Sequence, residues 1–404
     1  SGLYLAAPSV GGDIPLVVDS KPYMDPEYLE DVSWCQDSMQ PYDKVILWPT
    51  DVGFTEPLMI NVEMAEEAGV DWEKYRDEGW TIEEFREAAE ALTKDVDGDG
   101  EIDQWGYGNA LEYWRGGMEG FMHSAGVRSS SFAFWQWGNE VDWDQPGFAE
   151  WLETYRAMVQ DDHSIPEEAL ALPKQQSGHE LWFNGQVAMT LGYPQLLAEM
   201  QEWNRKIDSG EVVGEKIDWE AALLPPPRWP PHDSVTPLRC GGISVFKQEP
   251  YKGDEHTRHA EEVAKYLSSP ANLKSYTDYA TVLPSRLSLV SDSEALADAR
   301  VRPFIEWAMR HAVCAFPMGH PTNAYFRMTL HNKYFIDVMQ GKISGADAVA
   351  AMKEEMTGYT SQWVAENPEM AEVWEEPWRD DWPVCYFTPG SAYPQGVNPE
   401  DFLE

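Results

Sequence analysis

Positively charged residues are scarce in this chain of 404 residues. Lys and Arg together number 29 against 70 Asp and Glu, so the formal net charge at pH 7 is −41. Phosphates would repel such a chain, which would gain nothing from counterion release, and an anionic membrane surface would repel it too. We therefore expect neither nucleic acid nor a lipid surface as a partner.

Signals for membrane insertion, secretion and zinc binding are also lacking. No apolar run reaches the roughly 18 residues of a membrane-spanning helix. The first residues show no charged segment followed by an apolar one, so no signal peptide is recognised, which leaves the compartment open. The four cysteines are Cys35, Cys240, Cys314 and Cys385. They include no CxxC pair, which argues against a zinc site, and if they form two disulfides, three pairings are possible.

Catalytic motifs are missing as well. The sequence contains no HExxH, GxSxG or GxxxxGK[ST]. Leu111 stands where the glycine of a dinucleotide-binding loop would follow Gly106 and Gly108. With 70 carboxylates, pairs are inevitable, so a glycosidase-like pair cannot be inferred. We expect no catalytic residues and no organic cofactor; a secreted carbohydrate-active enzyme is the alternative.

Apolar and aromatic residues are plentiful. They make up 43% of the chain and include 19 Trp, 18 Tyr and 14 Phe, which is far more than a disordered acidic chain carries. The length favours at least two lobes. Repulsion among the acidic groups would destabilise a compact fold in dilute buffer and would be screened at molar salt, so we expect either a halophilic source or an ordinary acidic secreted protein.

Strand and helix patterns alternate along the chain. Val187–Leu191 reads as a buried strand, and Thr81 with Glu84 forms a capping box at the start of an amphipathic helix. A second capping signal, Ser344 with Asp347, opens a helix predicted to end near Met356. The alternation predicts an α/β fold. The Trp- and Pro-rich segment after Tyr359 has no clear period, and we expect an irregular arm there.

Five stretches in this order resemble the extracellular solute-binding proteins of ABC importers, the family that includes maltose-binding proteins. They are Pro49–Asn61, Trp80–Asp95 with its Trp-Thr-Ile-Glu-Glu-Phe opening, Phe183–Met189 (Phe-Asn-Gly-Gln-Val-Ala-Met), Gly241–Pro270, and Leu283–Arg286 with the later Gly341–Ser344. The family's usual opening strand, helix and strand are not found before Asp13. We therefore expect a truncated or divergent N-terminal segment.

The resemblance implies a periplasmic-binding-protein-like fold of two α/β lobes joined by hinge strands. Residues 1–52 and 243–287 would form an incomplete first lobe, residues 53–242 and 288–358 the second, and residues 359–404 the arm. It further implies a receptor that captures a sugar, with the high Trp count favouring an oligosaccharide, and that delivers it to a membrane permease. We expect a monomer outside the cell or in the periplasm, anchored to the membrane through the missing segment.

Candidate ligand contacts follow from the same resemblance, because sugars need aromatic platforms together with planar polar partners. Packing is the alternative for every aromatic among them. The candidates are Asp51, Glu56, Tyr113, Trp114, Tyr193, Gly241, Gly242, Arg286, Tyr325 and Phe326.

An acidic loop after the capped helix has the spacing of a calcium loop. Oxygen ligands stand at positions 1, 3, 5 and 9, with glycine at 6 and an apolar residue at 8, while position 12 is Gly106 instead of the usual Glu. The spacing predicts a structural calcium ion, and a solvated acidic turn is the alternative. The candidate ligands are Asp95, Asp97, Asp99, Glu101 and Asp103.

Overall fold

A computed structural model gives the fold of the chain. It describes residues 18–35, 45–54, 57–108, 121–122, 124–126, 129–130, 133–134, 146–166, 181–192, 194–247, 252–314, 322, 329–368, 371, 393, 398 and 401. Among these residues, no helix has the length and apolar character needed to cross a bilayer.

The strands of the described residues form two sheets of four strands and one small hairpin. In chain order they are β1 Trp48–Phe54, β2 Leu58–Asn61, β3 Trp105–Tyr107, β4 Ser129–Ser130, β5 Ala133–Phe134, β6 Val187–Leu191, β7 Ala221–Leu224, β8 Thr236–Ile243, β9 Leu283–Pro284 and β10 Ala312–Cys314. The first sheet has the order β10-β8-β1-β9, the second has the order β3-β6-β2-β7, and β4 pairs with β5.

The chain passes between the two sheets through short links. Strand β1 of the first sheet leads into β2 of the second through residues 55–57, and β7 returns to β8 through residues 225–235. The second link contains five prolines, which suits an irregular connection. Gly241 and Gly242 lie within β8, after this second link.

Twelve helices surround the sheets in the described part of the chain. They are α1 Pro26–Asp31, α2 Val62–Ala68, α3 Trp72–Glu78, α4 Ile82–Ala91, α5 Pro146–Gln160, α6 Gln195–Asp208, α7 Asp254–Leu267, α8 Pro270–Ala280, α9 Glu294–Ala297, α10 Arg302–His311, α11 His331–Met339 and α12 Gly345–Glu366. The alternation of strands and helices confirms the α/β prediction.

Both capping signals open helices. At the start of α4, the Thr81 hydroxyl accepts from Glu84 N while the Glu84 carboxylate accepts from Thr81 N, so the predicted capping box is complete. The Ser344 hydroxyl caps α12 by accepting from Asp347 N at 3.1 Å. Helix α12 continues past Tyr359 to Glu366, so the prediction of an irregular arm from residue 359 is wrong for its first turns. The buried stripe that includes Met356 reaches Thr360, which explains the longer helix.

The second sheet is buried on both faces. Alternate residues of β2 point to different cores: Leu58 and Ile60 to one that includes α4, α5, α11 and α12, and Met59 to one that also covers the first sheet. This follows from the two-residue period of a strand. Large aromatic residues fill these cores. The fully buried ones include Trp34, Trp48, Trp80, Trp151 and Trp182.

A buried carboxylate ties α7 to β1. Glu261 is 1% exposed and accepts hydrogen bonds from Trp48 Nε1 at 2.7 Å and from Ser20 Oγ at 2.9 Å. Burial raises the pKa of Glu261, and both hydrogen bonds oppose that rise. Because its pKa is higher in the folded than in the unfolded chain, this carboxyl contributes most stability below its ordinary pKa, and stability falls as pH rises through its folded pKa.

We expect Glu261→Gln to remove this dependence on pH. In urea titrations between about pH 4 and 8, the substitution should flatten the decline of the unfolding free energy, whose slope from one group is at most about 1.4 kcal/mol per pH unit. Glu262→Gln, on the exposed side of α7, is the matched control. Parallel pH profiles for the wild type and Glu261→Gln would contradict the assignment.

Candidate functional site

The structure describes only some of the predicted ligand contacts. Asp51, Gly241, Gly242 and Arg286 all lie on or beside β1 in the first sheet. The other candidates fall outside the described residues: Glu56, Tyr113, Trp114, Tyr193, Tyr325 and Phe326.

Asp51 lies in the middle of the first sheet with its carboxylate partly buried. Its backbone is paired with Gly241 of β8 on one side and Pro284 of β9 on the other. The Thr50 hydroxyl donates to Asp51 Oδ1 at 2.7 Å, and the Tyr276 hydroxyl of α8 lies within hydrogen-bonding reach. Burial raises the pKa of Asp51, while these two hydroxyls oppose the rise. The carboxylate has no cationic partner among the described residues.

The two glycines of β8 are explained by close packing. A Cβ atom at Gly241 would lie 2.4 Å from Asp51 Oδ1, and one at Gly242 would lie 2.6 Å from the Trp48 carbonyl oxygen. Real Cβ atoms do not approach so closely. Glycine at 241 thus makes room for the Asp51 carboxylate, a reason independent of any ligand.

Arg286 belongs to a cluster that joins β9 to α1. Its Nη1 lies 3.2 Å from Asp31 Oδ2, and its guanidinium lies 4.8 Å from the centre of the Tyr28 ring. Asp31 also accepts from the Ser288 hydroxyl at 2.9 Å. Four-fifths of the Arg286 side chain is shielded from solvent, and its Nε has no partner in the described part of the chain. These contacts give Arg286 a structural role.

Tyr276 is the site residue that the sequence did not indicate. Tyr276 is 48% exposed, and burial together with the nearby Asp51 carboxylate raises the pKa of its hydroxyl. Helical periodicity from the buried Leu273 and Thr277 would place Tyr276 on the outer face of α8. No sequence signal places that face next to β1, because residues 51 and 276 meet only through tertiary packing.

A cavity of about 350 Å³ lies near the end of α8. Helices α6, α8 and α9 and Arg300 form its walls, and none of the predicted contacts that the structure describes lines it. Its charged groups are largely paired: Asp298 binds Arg300 through both oxygens, and Asp278 lies 3.0 Å from Lys274 Nζ.

Carboxylates of the acidic loop accept hydrogen bonds from backbone N–H groups of the same loop. Asp95 accepts from Gly98 N at 2.6 Å and from Gly100 N at 2.8 Å, and Asp103 accepts from Val96 N at 2.8 Å. Both glycines have positive φ, at 81° and 97°. Side-chain oxygens of Asp95, Asp97 and Asp99 lie within 4.8 Å of one another, whereas Glu101 and Asp103 do not join this group. An oxygen-only set of this kind suits a hard cation such as calcium.

Comparison with known families assigns the chain to one of them. A family model described as bacterial extracellular solute-binding protein matches residues 9–302. The chain therefore belongs to this family, whose members are binding proteins that work outside the cytoplasm. Comparison with curated protein sequences gives no match.

Solved structures with the same fold include three with carbohydrate ligands in their names or descriptions. An ABC substrate-binding protein of Listeria monocytogenes, in complex with cycloalternan, is 17% identical with a TM-score of 0.61 over 87% of this chain and 86% of that one. The cyclic alpha-maltosyl-1,6-maltose binding protein of Arthrobacter globiformis is 15% identical with a TM-score of 0.61, over 86% and 80%. The GacH receptor of Streptomyces glaucescens, studied with acarbose, is 18% identical with a TM-score of 0.60, over 87% and 80%.

These likenesses establish the fold. Together with the family match and the two sheets, they confirm the predicted two-lobed architecture of a periplasmic binding protein. The predicted family is confirmed as well. The lobe boundaries stay a prediction.

The packing at residue 241 gives a direct test. Gly241→Ala should displace the Asp51 carboxylate and lower the free energy of unfolding by about 1–3 kcal/mol, as overpacking does. Gly53→Ala on β1 is the matched control, since no atom of the described residues lies within 4 Å of the Cβ it would add. Urea unfolding measures both variants. Equal stability of the two would show that Gly241 does not serve the Asp51 carboxylate.

Proposed function

We propose that this protein is the substrate-binding receptor of an ABC importer and captures a neutral carbohydrate between its lobes. The observation that carries the proposal is membership of the extracellular solute-binding family over residues 9–302. The carbohydrate ligands of the structural neighbours named above support the choice of ligand class.

The chemistry around Asp51 agrees with a polyol ligand. A partly buried carboxylate that has no cationic partner among the described residues accepts hydrogen bonds from neutral hydroxyls, and the half-exposed Tyr276 offers an apolar ring face to sugar C–H groups. An anionic solute would be repelled by a chain of net charge −41. The predicted contacts at Glu56, Tyr193 and the other candidate positions belong to the same proposal.

Delivery requires a partner and a change of shape. A ligand that touches both lobes only when they are closed stabilises the closed form, which a membrane permease can then recognise. We infer that the receptor acts as a monomer, does not bind nucleic acid and binds its ligand without catalysis. Membrane anchoring remains part of the proposal.

A panel of sugars tests the ligand class. We expect at least one neutral oligosaccharide to raise the melting temperature, because a ligand that binds only the folded chain stabilises it by RT ln(1 + [L]/Kd), about 2.7 kcal/mol at 100 times Kd. The scan should be run in dilute buffer and at molar salt, since self-repulsion of the acidic chain is screened only in the latter.

Two further outcomes with the same sugars would count against the receptor proposal. Release of reducing ends from any bound glycan would favour the carbohydrate-active enzyme. If every mono- and oligosaccharide leaves the melting temperature unchanged at both salt concentrations, the carbohydrate proposal is wrong.

We also propose that the acidic loop binds a structural calcium ion. The three converging carboxylates Asp95, Asp97 and Asp99, on a loop whose glycines permit the tight turn, support it. The ion would neutralise mutual repulsion among these exposed groups and fix the loop that leads from α4 to β3.

Calcium should therefore raise the melting temperature of chelator-treated protein, and Asp97→Asn should remove most of that rise. Glu90→Gln, which removes an exposed carboxylate from α4 outside the loop, is the control and should respond like the wild type. A calcium response that Asp97→Asn leaves intact would place the ion elsewhere, and no response would contradict the site.

A further inference from the structure

Helix α10 is buried on more than one side. Its buried residues are Phe304, Ile305, Trp307, Ala308 and Met309. Because an α-helix turns by about 100° per residue, these positions cover about 200° of its circumference. A helix that covers a single surface typically shows an apolar stripe of about 100° or somewhat more. Helix α10 therefore lies between two packed layers and not on the outside of one.

The two layers belong to different sheets. At its C-terminal end α10 continues without a loop into β10 of the first sheet, since His311 is followed directly by Ala312. It also packs against β7 of the second sheet and against α3. Its buried residues join one apolar core that includes Val52 and Leu238 of the first sheet and Leu223 of the second. The two sheets therefore share a core at α10.

A shared apolar core limits how two lobes can move. Lobes of one chain move readily when their contact is small and polar, and they are held together when it is large and hydrophobic. Movement of α10 away from β7 would expose its buried apolar side chains to water, which is unfavourable. Movement away from the first sheet would have to be absorbed between His311 and Ala312, where no residue intervenes. A rotation of the lobes that keeps these contacts has to be centred on α10.

The cavity of about 350 Å³ lies beside this shared core, because Leu197 of α6 belongs to both. Helix α6 follows β6 of the second sheet. The other walls are α8 and α9, which flank β9 of the first sheet, and Arg300, two residues before α10. The cavity thus separates elements attached to different sheets next to the start of α10, so a rotation centred on α10 would change its width.

We propose that α10 is the pivot about which the two lobes rotate and that the cavity between α6 and α9 is the space that this rotation widens or narrows. The inference rests on the proposed receptor function, and it adds where the rotation is centred. A side chain that fills the cavity would hold the lobes at a fixed angle. It would thereby change the affinity for a ligand bound between them, because such a ligand favours one angle over the others.

A bulky residue in the cavity tests the pivot. Ala297 of α9 lines the cavity, whereas Ala299 is exposed and does not belong to the described residues that line it. Ala297→Trp should change the affinity for an oligosaccharide that the wild type binds by at least about 3-fold, and Ala299→Trp should bind like the wild type. Weaker binding would place ligand and cavity on the same side of α10, and tighter binding would place them on opposite sides.

Two further variants keep the test independent of one substitution. Ala198→Trp fills the same cavity from α6 and should change the affinity in the same direction as Ala297→Trp. Ala297→Leu fills less of it and should give a smaller change in that direction. The melting temperature of each variant checks folding. Small-angle X-ray scattering of the sugar-free proteins should give different radii of gyration for Ala297→Trp and Ala299→Trp.

The pivot is wrong if Ala297→Trp and Ala299→Trp have equal affinities and equal radii of gyration. It is also wrong if the variants that fill the cavity from α6 and from α9 change the affinity in opposite directions. The receptor function would stand in both cases, since the wild type would still bind the sugar. If the wild type binds no saccharide, the proposed function fails, while the scattering comparison still decides whether the lobes rotate about α10.

Discussion

The pairing of β1 with β8 and β9 is the constraint on which the rest of the structure depends. It brings together three segments far apart in sequence, with Trp48 opposite Ile243, Phe54 opposite Leu238 and Asp51 opposite Pro284. Because a strand alternates its side chains, this register decides which residues of β1 enter the core and which face α8. A slip by one residue would bury Asp51 in an apolar core and expose Val52.

Polar contacts hold the same strand from outside the sheet. The Glu261 carboxylate binds the indole of Trp48, and the carbonyl oxygen of Pro49 accepts from the hydroxyls of Tyr28 and Ser285. Each bond joins a different segment to the beginning of β1, before the chain crosses to the second sheet. The strand that leads into the second sheet is thus fixed at its start.

Local signals predicted much of the fold. The Thr81 capping box, the buried strand at Val187–Leu191 and the order of the family stretches depend on neighbours in sequence, and the structure confirms them. The surroundings of Asp51 and Arg286 could not be predicted in this way. Tyr276 reaches Asp51, and Asp31 reaches Arg286, only after segments more than 200 residues apart have packed, and no periodicity encodes such a meeting. The packing role of Gly241 could not be predicted either, because it depends on contact with Asp51, which is distant in sequence.

Some carboxylates of this acidic chain are shielded from solvent and behave differently from those on the surface. Glu261 and Asp51 both have raised pKa values because burial disfavours their charged forms, whereas the pKa values of Asp77 and Glu202 on the surface are lowered by neighbouring arginines. Surface charge of one sign repels anionic solutes at long range and is screened by salt. A partly buried acceptor acts only at contact, where hydroxyl groups satisfy it without bringing in a second charge.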